Sequence, residues 1–214
     1  MASTPGAPQP VETMTPAQLE RRRRVLDAVI ELVAEGRVDD MAMKDVAERS
    51  GVALGTIYRY FASRDHLAAA ALAEWARSLD ARAGLAGAGA GGTQASMSDR
   101  LVAILRRAVR AYERQPAFAR LLILAATSTD PHAGACYADM GASVYEVLGT
   151  ALDELAPEDR RRVLDVVGAV WYQAMIEWVN GRKSATDVHE AVESAARLVL
   201  AGFERPPVPP AAVT

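Results

Sequence analysis

Between Met43 and Phe61 the chain has little conformational choice. Met43–Ser50 reads as a two-turn helix, Gly51 as the turn that follows it, and Ala53–Phe61 as another short helix with a glycine, Gly55, inside it. Upstream, Thr15-Pro16-Ala17-Gln18 places a capping residue, a proline at the first helical position and a glutamine at the third, so a longer helix is predicted from 16 to 35, stopped by Gly36. Val25, Ala28, Val29, Leu32 and Val33 recur on one face of it. One long helix followed by two short ones joined at a tight glycine turn is a helix-turn-helix unit.

On a helical wheel of residues 54–61, Ile57 and Phe61 lie an i,i+4 step apart and point inward, toward Val46 and Ala47. The opposite arc holds Leu54, Gly55, Tyr58 and Arg59. Glycine inside a helix costs about 1 kcal/mol against alanine, which makes sense where the backbone must lie close to another surface. A DNA duplex is such a surface. Its major groove admits a helix, arginine donates twice to guanine, and an apolar side chain such as Leu54 meets a thymine methyl. The hydroxyls of Thr56, Tyr58 and Tyr60 suit phosphate oxygens, and Lys44 and Arg64, near helix N-termini, suit the same backbone.

Charge alone does not point to DNA. The chain carries a formal net charge of −3, and its first 70 residues hold nine Lys or Arg against ten Asp or Glu, so a nucleic-acid surface requires segregation by face. Arg21–Arg24 fills a whole helical turn and cannot face one way. Solvated charges paired with Glu20 and Asp27 are the plainer reading, with one or two arginines reaching phosphate as the alternative.

Abundant Ala, Leu, Arg and Glu with few β-branched runs predict an all-α chain. Residues 1–14 are expected to be disordered, Gly84–Gly92 to form a flexible linker extending to about residue 97, and the Pro-rich stretch 204–214 a disordered tail. Further helices are expected at 63–83, 98–114, 116–127, 133–155 and 158–180, with a last one capped by Ser184 or Thr186 and ending near Gly202.

The segment KDVAERSGVALGTIYRYFASRDHL, residues 44–67, resembles the DNA-binding unit of the TetR family of one-component transcriptional regulators. The resemblance implies about nine helices, a helix-turn-helix reader over 15–62 and a C-terminal ligand-binding and dimerisation domain over 63–203. It also implies that Lys44, Leu54, Gly55, Thr56, Tyr58, Arg59, Tyr60 and Arg64 stand where the family tends to contact DNA. Ala42 and Ala53 depart from the family, which usually has Ser or Thr there as helix caps, a loss of about 1 kcal/mol each. A looser similarity, through Arg110–Pro116, Ala126–Asp130 and Arg182–Val188, is to TetR-type repressors of steroid catabolism. It implies a bulky sterol-derived effector, such as a CoA thioester.

Such an effector needs an apolar cavity with a few polar groups. Candidates in the middle of the chain are Trp75, Leu79, Leu105, Val109, Tyr112 and Phe118, and further on Leu122, Tyr137, Met140, Tyr145, Trp171, Met175 and Trp178. Any one of these residue types at helical spacing is more often plain core. The segment from Val163 to Trp178 is apolar on more than one face and must bury two sides. With the last helix it suits a two-fold homodimer interface carried by Val166, Val170, Val188, Val192, Ala195 and Val199, the alternative being that both helices complete the protomer core.

No metal site, cofactor or enzyme chemistry is expected. His66, His132 and His189 are far apart in sequence, and Cys136, though one turn from His132, reads better as a buried thiol than as a nucleophile. No stretch reaches the roughly 18 apolar residues of a membrane span, and a lone cysteine fits a cytoplasmic protein. The expected function is a ligand-responsive dimeric repressor of a pseudo-palindromic operator. A helical small-molecule-binding protein or enzyme without DNA binding is the rival reading. An activator would share the same pattern, since operator position decides between the two.

Overall fold

The computed structural model describes residues 8–83 and 95–204, and among them are nine α-helices and no strand. They are α1 (Pro16–Ala34), α2 (Met43–Ser50), α3 (Leu54–Tyr60), α4 (Arg64–Ala83), α5 (Met97–Arg114), α6 (Pro116–Thr127), α7 (Pro131–Gly149), α8 (Pro157–Val179) and α9 (Ala185–Leu200). The expected linker core and most of the Pro-rich tail, with residues 1–7, lie outside the described residues. The helices gather into two compact units. One holds α1 to α4 with Arg110–Val144, and the other holds the described chain from 95 to Val109 and from Tyr145 onward. The helix-turn-helix predicted for 15–62 lies wholly in the first.

Local chemistry explains the helix boundaries. At α1 the Thr15 hydroxyl accepts the Gln18 N–H at 3.4 Å while the Gln18 side chain accepts the Thr15 N–H at 2.8 Å, a reciprocal capping box. Gly36, Gly51 and Gly181 end their helices in left-handed backbone, at φ of 89°, 63° and 70°. The inner face of α1 buries Val25, Leu26, Val29, Leu32 and Val33 completely or nearly so. Removing each such side chain from water contributes about 1.5–3 kcal/mol.

Two expectations are corrected. Residues 8–14 are not disordered: Val11–Thr13 forms a 3₁₀ turn, Met14 is buried, and the Gln9 N–H donates to the Arg59 carbonyl at 2.9 Å. The segment expected at 133–155 instead starts at Pro131, because the Asp130 carboxylate caps the His132 and Ala133 N–H groups at 2.7 and 3.0 Å. It gives way after Gly149 to a 3₁₀ turn, Thr150–Leu152. Arg160 and Arg100 hold the carbonyls there, donating to Leu152 at 3.1 Å and to Ala151 at 3.1 Å.

In the second unit α8 and α9 form an antiparallel pair across a short turn. Val188, Val192, Ala196 and Leu200 repeat every four residues along α9 and are fully buried, as are Val163, Val167, Ala174 and Met175 of α8 to within about a percent. Ser98, at the start of α5, donates its N–H and hydroxyl to the Glu204 carboxylate at 2.7 and 3.2 Å, which ties the end of the described chain to the unit.

Candidate nucleic-acid interface

Helix α3 has two unlike faces. Ile57 and Phe61 are wholly buried beneath it, while Leu54 and Tyr58 are each 40% exposed, and Gly55 and Arg59 are open to solvent beside them. A methyl group built on Gly55 would meet nothing within 4 Å. No packing inside the protein therefore calls for glycine at this position. Thr56 is half-buried at the edge of the ridge, and Lys44 is exposed in the first turn of α2.

The structure corrects two residues of the predicted set. Tyr60 is only 2% exposed, so it does not share the outer face. Its ring supports the ridge from below: the Arg59 guanidinium lies 5.4 Å from the ring centroid and donates to the Tyr60 hydroxyl at 3.5 Å. Arg64 is half-buried and turned to its own chain, donating to the carbonyls of Val38 and Asp39 at 2.5 and 2.9 Å. It thus fastens the loop between α1 and α2 to the start of α4.

Seven carboxylates of the helix-turn-helix segment are held in ion pairs by four arginines. Glu20 and Asp27 pair with Arg23, Glu31 and Glu35 with Arg49, Asp40 and Asp45 with Arg37, and Asp39 with Arg120. The Arg37 guanidinium 2.6 Å from Asp45 holds that carboxyl below its ordinary range, and Arg49 does the same for Glu35. Asp45 also accepts the Ala42 N–H at 3.4 Å, so α2 keeps the backbone side of a capping box although Ala42 offers no side-chain cap. Of the Arg21–Arg24 run, Arg23 pairs as the plainer reading has it, while Arg22 sits over the Phe61 ring at 5.0 Å.

The chain beyond α3 is set by a histidine that the sequence did not single out for this role. Ser63 caps α4 by accepting the His66 N–H at 2.9 Å, and the His66 Nδ1 accepts the Ala62 N–H at 3.1 Å. The His66 ring is buried, meets Phe61 edge-on at 5.5 Å and stacks on His132 at 5.2 Å. Burial, and then His132, pushes its pKa down to about 4.

The residues predicted for an effector are divided between the units. In the first, Trp75 stacks on Phe118 at 4.3 Å, leans on Tyr112 at 5.0 Å and donates its indole N–H to Gln115 at 2.7 Å. Leu122 is buried there too, while Leu79, Tyr137 and Met140 are half-buried. Burial pushes the Tyr112 phenol up. In the second unit Leu105, Val109 and Met175 are buried and Trp171 and Trp178 half-buried. An open groove of about 280 Å³ in that unit is lined by Ala169, Val170, Gln173, Ala174, Lys183 and Ala191, none of them predicted for the effector.

The predicted dimer residues also separate. Val166 is 48% exposed and Leu198, near it in character, 76%; Val170, Ala195 and Val199 are half-buried. Val188 and Val192 are fully covered by their own chain, which removes them from any surface and corrects their assignment to the interface. They form the stripe by which α9 seats in the protomer. Among the described residues no three His, Cys, Asp or Glu side chains are grouped to hold a metal ion, and no helix is long and apolar enough to cross a membrane.

Comparison with known proteins gives a consistent picture. The family described as "Bacterial regulatory proteins, tetR family" matches residues 25–71, and "Tetracyclin repressor-like, C-terminal domain" matches 94–199. The HTH-type transcriptional repressor KstR of Rhodococcus jostii (strain RHA1) is 34% identical over 192 residues, covering 89% of this chain and 88% of that protein. The protein of the same name from Mycolicibacterium smegmatis is 34% identical over 193 residues, covering 90% and 93%. Among solved structures, a TetR transcriptional regulator from Rhodococcus sp. RHA1 superposes with a TM-score of 0.71 at 28% identity, over 88% of this chain and 99% of the other. The regulator FadR from Bacillus subtilis, solved with stearoyl-CoA, shares the fold with a TM-score of 0.61 at 17% identity, over 84% and 98%.

Proposed function

The chain belongs to the TetR family of bacterial regulatory proteins, and from that premise we propose that it is a homodimeric, ligand-responsive repressor that reads a pseudo-palindromic operator through α3. Two copies of α3 enter successive major grooves about 34 Å apart. Arg59 donates to a guanine edge, Leu54 and Tyr58 flank it, Gly55 lets the helix backbone approach the bases, and Lys44 and Thr56 meet phosphate.

The observation that carries this reading is the empty space over Gly55, with Leu54, Tyr58 and Arg59 exposed around it. A glycine that no neighbouring atom requires, in the first turn of a helix and among exposed side chains, fits a surface shaped for a partner outside the chain. The dimer rests on the apolar side chains left uncovered on α8 and α9, Val166 and Leu198 foremost.

The effector is a bulky apolar molecule of the steroid-derived CoA-thioester class. The resemblance of Arg110–Pro116, Ala126–Asp130 and Arg182–Val188 to TetR-type repressors of steroid catabolism supports that class. Such a ligand relieves repression by binding more tightly to the conformation in which α4 has swung and the two α3 helices no longer match the groove spacing.

The test is direct. Purified protein should retard the DNA upstream of its own gene at low salt, protect a two-fold site from cleavage, and release it on addition of the steroid-derived CoA thioester. A protein that retards no such fragment is the helical binding protein or enzyme of the rival reading.

A further inference from the structure

The backbone N–H of Gln9 donates to the carbonyl of Arg59 at 2.9 Å. This bond is unusual in its placing. The last carbonyls of a helix have no partner within it, and in α3, which ends at Tyr60, Arg59 supplies one of them. Nothing in the local sequence of α3 satisfies that group; it is met by Gln9, 50 positions earlier.

The stretch that delivers Gln9 is fixed at both ends. Its side chain pairs amide to amide with Gln18, at 3.3 and 3.5 Å, and Gln18 is itself held by the capping box of α1. Between them the Thr13 hydroxyl donates to the Pro10 carbonyl at 2.8 Å within the 3₁₀ turn, and Met14 is buried as the chain enters α1. Residues 9–14 thus run as a short strap from the base of α1 to the C-terminal turn of α3, within one compact unit.

We infer that Gln9 is a positioning residue for operator recognition: through its N–H it holds the last turn of α3, and with it the Arg59 guanidinium, at the height and angle from which Arg59 reads its base. The inference rests on the proposed function, since it presumes that Arg59 faces DNA. Arg59 has two supports, the Tyr60 ring under its guanidinium and the strap on its carbonyl. The ring fixes the side chain and the strap fixes the backbone that carries it. Because the bond is made by a main-chain group, any residue but proline can make it, and the Gln18 side-chain pairing adds a smaller contribution.

The experiment compares Gln9→Pro, which deletes the N–H, with Gln9→Ala, which keeps it, in the full-length chain. Gln9→Pro should lower operator affinity about three- to tenfold, the effect of one net hydrogen bond, with an unchanged salt slope. The loss should be confined to discrimination at the one base pair that Arg59→Ala also relaxes. Gln9→Ala should stay near wild type. In the double variant Gln9→Pro/Arg59→Ala the two losses should not add, because both act through one guanidinium. Additive losses, or a Gln9→Pro that weakens every sequence equally, would make the strap merely structural and overturn the inference, as would a Gln9→Pro with wild-type affinity. Slow hydrogen exchange at the Gln9 amide in the free protein checks the bond without DNA, and fast exchange there also overturns it. A wild-type protein that retards no DNA fails the functional reading, while protection at Gln9 would then stand or fall separately.

Discussion

His66 accepts the Ala62 N–H through Nδ1 at 3.1 Å, directly after the cap of α3. A ring that accepts at Nδ1 is neutral, with its proton on Nε2. Burial depresses its pKa to about 4, helped by stacked His132 and by Arg22, and opposed by Asp130. The ordinary value in an unfolded chain is 6.5, so stability is complete above that pH and is lost as pH falls from 6.5 toward 4, where the unfolded chain takes up a proton that the folded ring refuses. The loss is at most about 1.4 kcal/mol per pH unit. Urea midpoints measured at about pH 7 and about pH 5 should fall more steeply for wild type than for His66→Gln. Equal slopes would show that the ring is not held neutral.

Gly55→Ala separates the needs of the fold from those of the partner. The added methyl enters open space, so the free protein should gain roughly 0.4–1 kcal/mol from the restricted unfolded chain. The same methyl should weaken operator binding, because it stands between the α3 backbone and the bases. A chemical denaturation curve and a DNA titration on one preparation are enough, and a variant that is both stabler and fully competent for DNA would remove the close-approach argument.

Arg59→Ala should weaken specific binding by about 1–3 kcal/mol and relax preference at one position of the site. Its exposed head and buried tyrosine support leave the core untouched, so thermal stability should be nearly unchanged. Affinities measured over a set of single-base operator variants give the answer, and a uniform drop across the set would assign Arg59 to phosphate.

Lys44 and Arg64, alike on paper, should behave differently. Lys44→Ala should lower affinity evenly across sequences and reduce the salt slope by about 1. Arg64→Ala should cost about 1–3 kcal/mol of fold stability, since two loop carbonyls lose their donor. If Arg64→Ala leaves the denaturation midpoint in place and flattens the salt dependence, its guanidinium leaves the carbonyls for DNA.

Val166 and Val192 make a matched pair on neighbouring helices. Val166→Arg changes an exposed side chain and should yield a folded monomer, whereas Val192→Arg puts a charge where exposure is 0% and should unfold the protein. Sedimentation with circular dichroism separates the outcomes. A dimeric Val166→Arg would move the interface off that face of α8.

What could be read in the chain beforehand follows the range of the forces involved. The Thr15–Gln18 cap, the Gly51 turn and the inward Ile57 and Phe61 are set within one or two helical turns, and each was legible. Tyr60 lies three residues from Ile57, only about 60° round the wheel, inside the buried sector, although its hydroxyl is a group that also suits phosphate. Arg64 and Gln9 left no such signal, since their acceptors are backbone carbonyls of distant segments. For Val188 and Val192 the stripe was plain, and what the sequence did not contain was whether the protomer or its copy covers it.

Helix α3 is only seven residues long. Isolated helices shorter than about 12–15 residues scarcely form in water, so this one owes its shape to the core and the backbone bonds that hold it. A synthetic peptide spanning the motif should therefore be a coil that recognises nothing, and transplanting specificity between such regulators requires exchange of the surrounding scaffold along with the seven letters themselves.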